Sequence, residues 1–481
     1  MTIQNLRLLR TVLCDSLDAL EKLYLSKSQD LPSLDDPYVN DEAEVLASDP
    51  EAIQAVNETV SAAYQIISTV RHPFETLSDA SSAYNLSACL RVAEKYNVVE
   101  ILREAGPEGC HIDIISKQTG LHSNKLGLAR VLRVLATHHI FREVYPNHFA
   151  NNRVSSYFDT GKSSRAIIAN PKDKYTGTSG AAAYIGTFTD DVFKASSYLL
   201  EALEDPETGN KFLASNAALQ KAFSTDKVYF SWLEGPSNEY RFERYGACIR
   251  GTSLWDAPEA ILKGFDWDSL DACDLIVDVG GGTGAPAMLL AQGHPELRIV
   301  IQDRKPVVAQ GTQYWEDVFP EALRTGRVSF EVHDFFEPQP QRTTSVFLVR
   351  TICHDWPDDL AIRILLNLRK ASNKSTKLIL ADFVIPYACP NDSADRMVPG
   401  AAMKAVKAPL LANLGKATAN AYWIDMTMQV LLNGQERTLP HHIDILAQAG
   451  WRVISVFRAQ NSQFGYLTAV PTAITGENHS G

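Results

Sequence analysis

Cysteine is sparse: seven in 481 residues, at 14, 89, 110, 248, 273, 353 and 389, an odd and scattered set with no CxxC pair. That pattern leaves no basis for a disulfide framework or a zinc ribbon. It reads as reduced thiols of a cytoplasmic protein. Long apolar runs are missing as well. No stretch approaches about 18 apolar residues, so no transmembrane helix is expected. The N-terminal residues are interrupted by Arg10, Asp15 and Asp18 and carry no signal-peptide core. There is no internal repeat and no His/Cys/Asp cluster with metal-ligand spacing, so no metal is expected. Positive charge is in deficit: 45 Lys and Arg stand against 57 Asp and Glu, a net charge of −12, which argues against nucleic acid as the main partner.

What remains is ordinary soluble composition, 45% hydrophobic and 21% charged, on a chain long enough for more than one domain. Residues 1–26 place Leu9, Leu13, Leu17, Leu20 and Tyr24 on one helical stripe. Residues 27–50 are an acidic loop with Pro32 and Pro37, and a second helix follows over about 51–71. Residues 81–160 read as a helix over 84–105, a short helix 112–119, a helix capped by Ser123 with Leu128, Val131, Leu132 and Leu135 inward, and a hairpin over 140–144 and 149–154. Helix–turn–helix plus hairpin is a winged-helix pattern. A structural or dimerising role fits the acidic chain better than DNA reading. Residues 180–265 are helical and aromatic-rich, and side chains such as Phe230 and Trp232 serve either core packing or a substrate pocket.

From 271 onward strands (275–279, 298–302, 328–332, 345–349, 377–382) alternate with helices (about 284–293, 306–318, 358–372), the pattern of a doubly wound α/β sheet. Residues 388–419 read as a long excursion that could act as a lid, followed by a helix over 420–432 and closing strands at 451–457 and 465–470. The domain expectation is a helical extension 1–80, a winged-helix unit 81–180, a helical pocket-forming region 181–265 and a catalytic domain 266–481.

The chemistry-bearing residues sit at strand ends. Asp278-Val279-Gly280-Gly281-Gly282-Thr283-Gly284 closes the first strand. Glycines there let backbone approach a ligand, and the absence of a following Gly-Lys-Ser/Thr rules out a triphosphate loop. Asp303, about 20 residues on, suits a ribose diol such as that of NAD or S-adenosylmethionine. Asp334-Phe335 could bind and cover an adenine, or Asp334 could simply cap its loop. His354 follows the fourth strand and can accept a hydroxyl proton. Asp382 and Glu436 are carboxylates that could hold its ring, with surface or capping roles as the plainer alternative. Cys353 beside it is either a catalytic thiol or a small buried side chain.

These motifs together resemble the S-adenosylmethionine-dependent O-methyltransferases of the plant caffeate type and their fungal secondary-metabolite relatives, over about residues 80–470. The resemblance implies a Rossmann-like catalytic domain and a mostly α-helical winged-helix dimerisation domain. It implies cofactor contacts at Asp278, Gly280, Gly281, Gly282, Asp303, Asp334, Phe335 and Arg350, and catalysis by His354 as general base with Asp382 and Glu436 flanking it. Arg350 stands where the family usually has lysine, and Asp382 where it usually has glutamate. Phe230, Trp232, Trp423, Met426 and Met428 are candidates for an apolar pocket holding a small aromatic or polyketide-like substrate. A homodimer is expected, with neither nucleic acid nor membrane as partner.

The expected reaction is methyl transfer from S-adenosyl-L-methionine to a phenolic or enolic hydroxyl. One alternative is a methyltransferase-like enzyme catalysing dehydration or pericyclic ring closure. An NAD-dependent dehydrogenase and a cofactor-sensing winged-helix regulator fit fewer of the motifs.

Overall fold

The computed structural model describes residues 2–121, 124–206, 209, 211–252, 256, 260–340, 343–390, 398–459 and 462–473. They form two compact units, one of residues 1–210 with 218–255, the other of 211–217 with 256–481. Among the described residues no helix is long and apolar enough to cross a membrane.

In the first unit the Thr2–Ser26 helix lies against the Pro50–Val70 helix. Its buried stripe is Leu9, Val12, Ser16, Leu20 and Tyr24, while Leu17 is 46% exposed. Hydrophobic spacing favours Leu13 and Leu17 over Val12 and Ser16 because one member of the true stripe is polar: Thr59 Oγ1 donates to Ser16 Oγ at 2.8 Å. The expected helix 84–105 is two helices, Tyr84–Lys95 and Val98–Ala105, because Asn97 between them takes a left-handed φ of 56°. Helices Ile112–Gln118 and Lys125–Thr137 follow, and Ser123, the expected cap, lies outside the described residues. The wing is three-stranded rather than a hairpin. β1 (Cys110–His111) pairs with β3 (His148–Ala150), which pairs with β2 (Arg142–Tyr145). The chain leaves β3 at Ala150 because Asn152 caps a short helix, Arg153–Ser156.

Ile101, Leu102, Ile115, Leu128, Leu132, Leu135 and Phe149 share one core with Ala182, Ala183, Ala247 and Cys248. The aromatic-rich helices after 180 therefore complete this unit's core rather than forming a region of their own. Each Leu, Ile or Phe side chain in this core contributes roughly 1.5–3 kcal/mol when fully buried. Beside that core lies an ionic cluster that hydrophobic patterning could not reveal. Glu94 accepts from Tyr175 Oη at 2.7 Å and pairs with Lys174 and Arg91. Arg244 donates to Asp190 and to Asp191 at 3.1 and 3.0 Å. The wide π-helical turn Phe188–Val192 places the two consecutive aspartates there. Arg133 and Lys125, two cations of the candidate DNA-reading helix, are engaged with Glu143 and Asp113.

The second unit is built on a seven-stranded sheet ordered β6-β5-β4-β7-β8-β10-β9. Its strands are β4 (Leu275–Val279), β5 (Arg298–Asp303), β6 (Val328–Val332), β7 (Val346–Arg350), β8 (Lys377–Phe383), β9 (Trp451–Arg458) and β10 (Phe464–Pro471). The first five run parallel; β10 runs antiparallel to both β8 and β9. β9 and β10 are joined by too short a link for a parallel crossover, so they enter as a hairpin. Ile276, Val277, Phe347, Leu348, Leu378 and Leu380 are fully buried, as strands covered on both faces require. The order reverses between β4 and β7, so the crevice at their carboxyl ends is where this topology places ligands. Part of the 388–419 excursion lies along the outer edge of β9: Val456 N–H donates to the Pro399 carbonyl at 2.9 Å and Arg458 to that of Ala401 at 3.2 Å. It covers a strand edge that would otherwise present unpaired backbone.

Candidate active site

β4 ends on Asp278 and Val279, and the glycine turn follows directly. Gly280 has a φ of 68°, and a Cβ there would lie 2.5 Å from Ile352 Cδ1 and 3.4 Å from the Phe335 ring. Only glycine fits this close approach. Gly282 N–H donates to Asp303 Oδ2 at 2.9 Å, and Arg304 N–H donates to Oδ1 at 2.7 Å. The residue expected to hold a ribose thus also fastens the loop, and each oxygen retains capacity to accept again. Burial raises the Asp303 carboxyl despite these donors. Asp278 is deeper: burial and the neighbouring Asp303 charge push its carboxyl up to about 7 against the pull of Arg350. Its Oδ2 has no hydrogen-bond partner among the described residues. Trp315, absent from the expected set, props the loop by donating Nε1–H to the Thr283 carbonyl at 3.0 Å.

Asp334 is exposed, and its Oδ1 accepts the Phe336 N–H at 2.9 Å, the loop-capping role. Phe335 stands edge-on to Trp356, beside the glycine turn. Arg350 ends β7 with its guanidinium 4.9 Å over the Phe464 ring and 3.8 Å from Asp256 Oδ2. An orphaned buried carboxylate oxygen, a second carboxylate with open lone pairs and a flat ring beside backbone amides suit a cationic ligand carrying a nucleoside.

His354 lies on the 3₁₀ turn Cys353–Asp355 just past β7 and is buried. Its Nδ1–H donates to Glu436 Oε1 at 2.7 Å. That bond fixes the ring and leaves Nε2 to exchange a proton. Asp355 Oδ1 stands 3.6 Å from Nε2, outside hydrogen-bond range. Burial alone would lower the imidazole; the charges of Glu436 and Asp355 outweigh it and push His354 up to about 10. Asp382 is fully buried at the end of β8, but neither of its oxygens has a hydrogen-bond partner among the described residues. It does not hold the ring as expected. The shorter side chain leaves a carboxyl that burial pushes up to about 7, with the His354 charge pulling the other way.

The acid that does reach the ring is itself placed by another that no motif or spacing singles out. Asp425, on the Ala419–Leu432 helix, accepts the Glu436 N–H at 2.8 Å. Burial pushes the Cys353 thiol up, which keeps it protonated and removes it as a nucleophile.

The expected pocket residues are divided between the two units. Phe230 and Trp232 belong to an aromatic cluster of the first unit with Tyr229 and Tyr245, and Trp232 also packs under Arg241. In the second unit Met428 is buried, Met426 half-buried and Trp423 58% exposed under Lys416. A cavity of about 510 Å³ in that unit is lined instead by residues such as Ile385, Leu410, Leu439 and Arg458.

Residues 253–452 match the model of the O-methyltransferase domain, and residues 78–161 that of the O-methyltransferase dimerisation domain. An O-methyltransferase of Armillaria gallica is 38% identical over 97% of this chain and 99% of its own length. The 4-O-methyltransferase 1 of Phanerochaete chrysosporium is 38% identical over 97% of this chain and 98% of its own. Among solved structures, one described as a pericyclic reaction enzyme covers 89% of this chain and all of its own at a TM-score of 0.65, with 18% identity, a likeness of fold. Matching family models and near-full-length relatives agree with the geometry at the ends of β4, β5 and β7: the chain belongs to the O-methyltransferase family.

Proposed function

We propose that the second unit binds S-adenosyl-L-methionine and methylates a phenolic or enolic hydroxyl of a small aromatic or polyketide-like acceptor, with His354 as the general base. The observation that carries this reading is the buried 2.7 Å bond between His354 Nδ1 and Glu436 Oε1. The Gly280–Gly282 backbone, Asp278, Asp303, Asp334, Phe335 and Arg350 are the residues that would hold the cofactor, whose sulfonium supplies a methyl group already activated for transfer. The protein's share is then alignment and deprotonation. Glu436 makes His354 basic enough to deprotonate the acceptor. An imidazole near 10 matches an ordinary phenol, also near 10, so once His354 has lost its own proton the transfer itself is close to level.

The test is titration of the protein with S-adenosylmethionine, followed by an acceptor panel read by mass. A gain of one methyl that His354→Ala abolishes while binding persists supports the reading. Cofactor binding with acceptor turnover but no mass gain would favour dehydration or ring closure instead. The homodimer proposal rests on the dimerisation-domain match and on exposed apolar side chains in or next to that span, Phe74, Leu77, Tyr84 and Leu126. Light scattering at the monomer mass would overturn it.

A further inference from the structure

The bond between His354 and Glu436 joins two segments 82 residues apart in sequence, and something must hold those segments in register. Arg437 does so. It is fully buried, and its planar fork spans the turn that carries the histidine. Nη1 donates to the Cys353 carbonyl at 2.7 Å, Nη2 to the Trp356 carbonyl at 2.7 Å and Nε to Asp358 Oδ1 at 2.9 Å. The carbonyls of the residues just before and just beyond the His354–Asp355 pair are thereby bound by the residue that follows Glu436.

Gln435 closes the same seam. Its backbone N–H donates to the His354 carbonyl at 2.9 Å and its Nε2 to Asp358 Oδ1 at 2.9 Å. Gly434 allows this approach, since a Cβ there would fall on the His354 carbonyl and within 2.5 Å of the Asp355 carbonyl carbon. Asp358 is fixed from its other side by His441 Nε2 at 2.8 Å. Burial would raise Asp358, but His441 and Arg437 hold it down to about 2, so it stays anionic. Every bond in this seam therefore links the base's turn to the segment of its carboxylate partner.

We propose that Arg437 and Asp358 form a positioning clamp that sets the His354–Glu436 distance and thereby the basicity of His354. The proposal rests on His354 being the base. A lysine at 437 has one donor group where the clamp needs a rigid three-way fork, so Arg437→Lys is not a conservative change here. Asp358→Asn keeps shape at a partly exposed position while removing the charge that anchors the fork.

The experiment compares both variants with the parent protein for S-adenosylmethionine affinity, acceptor KM, kcat and the pH dependence of kcat/KM. Cofactor affinity and acceptor KM are expected to hold. The value of kcat should fall, by up to about a hundredfold, as small misplacements of reacting groups do. The ascending limb of kcat/KM should move to lower pH as Glu436 loosens from the ring. A purely structural role would lower stability without moving that limb. If His354→Ala abolishes turnover but the limb stays put in Asp358→Asn, the clamp is refuted and the base stands. If His354→Ala still turns over, the base reading itself has failed. Asp358→Asn decides the matter even where Arg437→Lys does not fold.

Discussion

Glu436 Oε1 lies 2.7 Å from His354 Nδ1, and both side chains are buried. In water such a pair would be screened; here, with both side chains buried, the carboxylate charge acts on the ring more strongly than it would in solvent. The free enzyme therefore holds its imidazole protonated through the neutral range, and kcat/KM should climb with pH toward about 10. Glu436→Gln removes the charge that favours imidazolium, so His354 becomes less basic and the limb moves to lower pH, with a lower plateau. His354→Ala should cost about 10²–10⁴ in kcat. A limb that stays in place in Glu436→Gln would show that another group titrates.

The same relationship predicts a proton count. At neutral pH His354 already carries a proton, so it can accept the acceptor's only after the complex has lost one proton to solvent. Acceptor binding at neutral pH should release close to one proton, read by calorimetry in buffers of different ionisation heat. No buffer dependence would mean that the acceptor binds with its proton in place.

Asp382 carries a linkage of the same sign at lower pH. Its carboxyl is raised to about 7 in the folded protein. A raised value means that the native state binds the proton more tightly than the unfolded chain does. The contribution is present in full below about 4 and is lost as pH rises through about 7. Asp382→Asn removes this dependence, so its melting temperature should gain on the parent's between pH 5 and 8. Because Asp382 makes no hydrogen bond to the ring, turnover should change less than in Glu436→Gln. A parallel pair of melting curves against pH would remove the linkage argument.

The cofactor loop gives a binding test. Asp303 accepts from both Gly282 and Arg304, and an asparagine side chain has one acceptor oxygen where the carboxylate has two. Asp303→Asn should weaken S-adenosylmethionine binding by about tenfold or more and lower stability by about 1 kcal/mol. Unchanged affinity by calorimetry would sever Asp303 from the cofactor.

Strand alternation, the glycine turn and the acidic strand ends were legible in the sequence because they follow period and position, which a single chain displays. Ser16 on a buried helical stripe and the third strand of the wing were not, since each depends on a partner far along the chain, and the left-handed Asn97 between two helices leaves no mark on the hydrophobic period. The catalytic constellation divides the same way. His354 stands out by position, a titratable side chain just past an apolar strand, whereas Glu436 lies in a polar turn and is picked out by the family resemblance. Asp425, Asp358 and Arg437 gain meaning only once the fold brings residues 353–358 against 434–441. Which of two candidate acids reaches a ring is set by how the fold places their backbones, and spacing carries no information about that.

Arg244 tests the part of the fold that was least visible. Its guanidinium is fully buried and bonded to both Asp190 and Asp191. Burial would raise Asp190, yet Lys194, Arg244 and Arg91 hold it down to about 2, so it remains charged at every working pH. Arg244→Ala leaves two carboxylates facing a void, and removing one partner of a buried ionic group costs about 3–5 kcal/mol. Arg244→Met fills much of the volume and still leaves the charges, so it should rescue little. Converting Asp190 and Asp191 to asparagine together with Arg244→Met should recover more, because no buried carboxylate is then stranded and the cations that lose their partners, Arg91, Lys194 and Arg241, reach solvent. Chemical denaturation of the three variants checks this ordering. If Arg244→Met restores full stability on its own, packing rather than charge holds this core together.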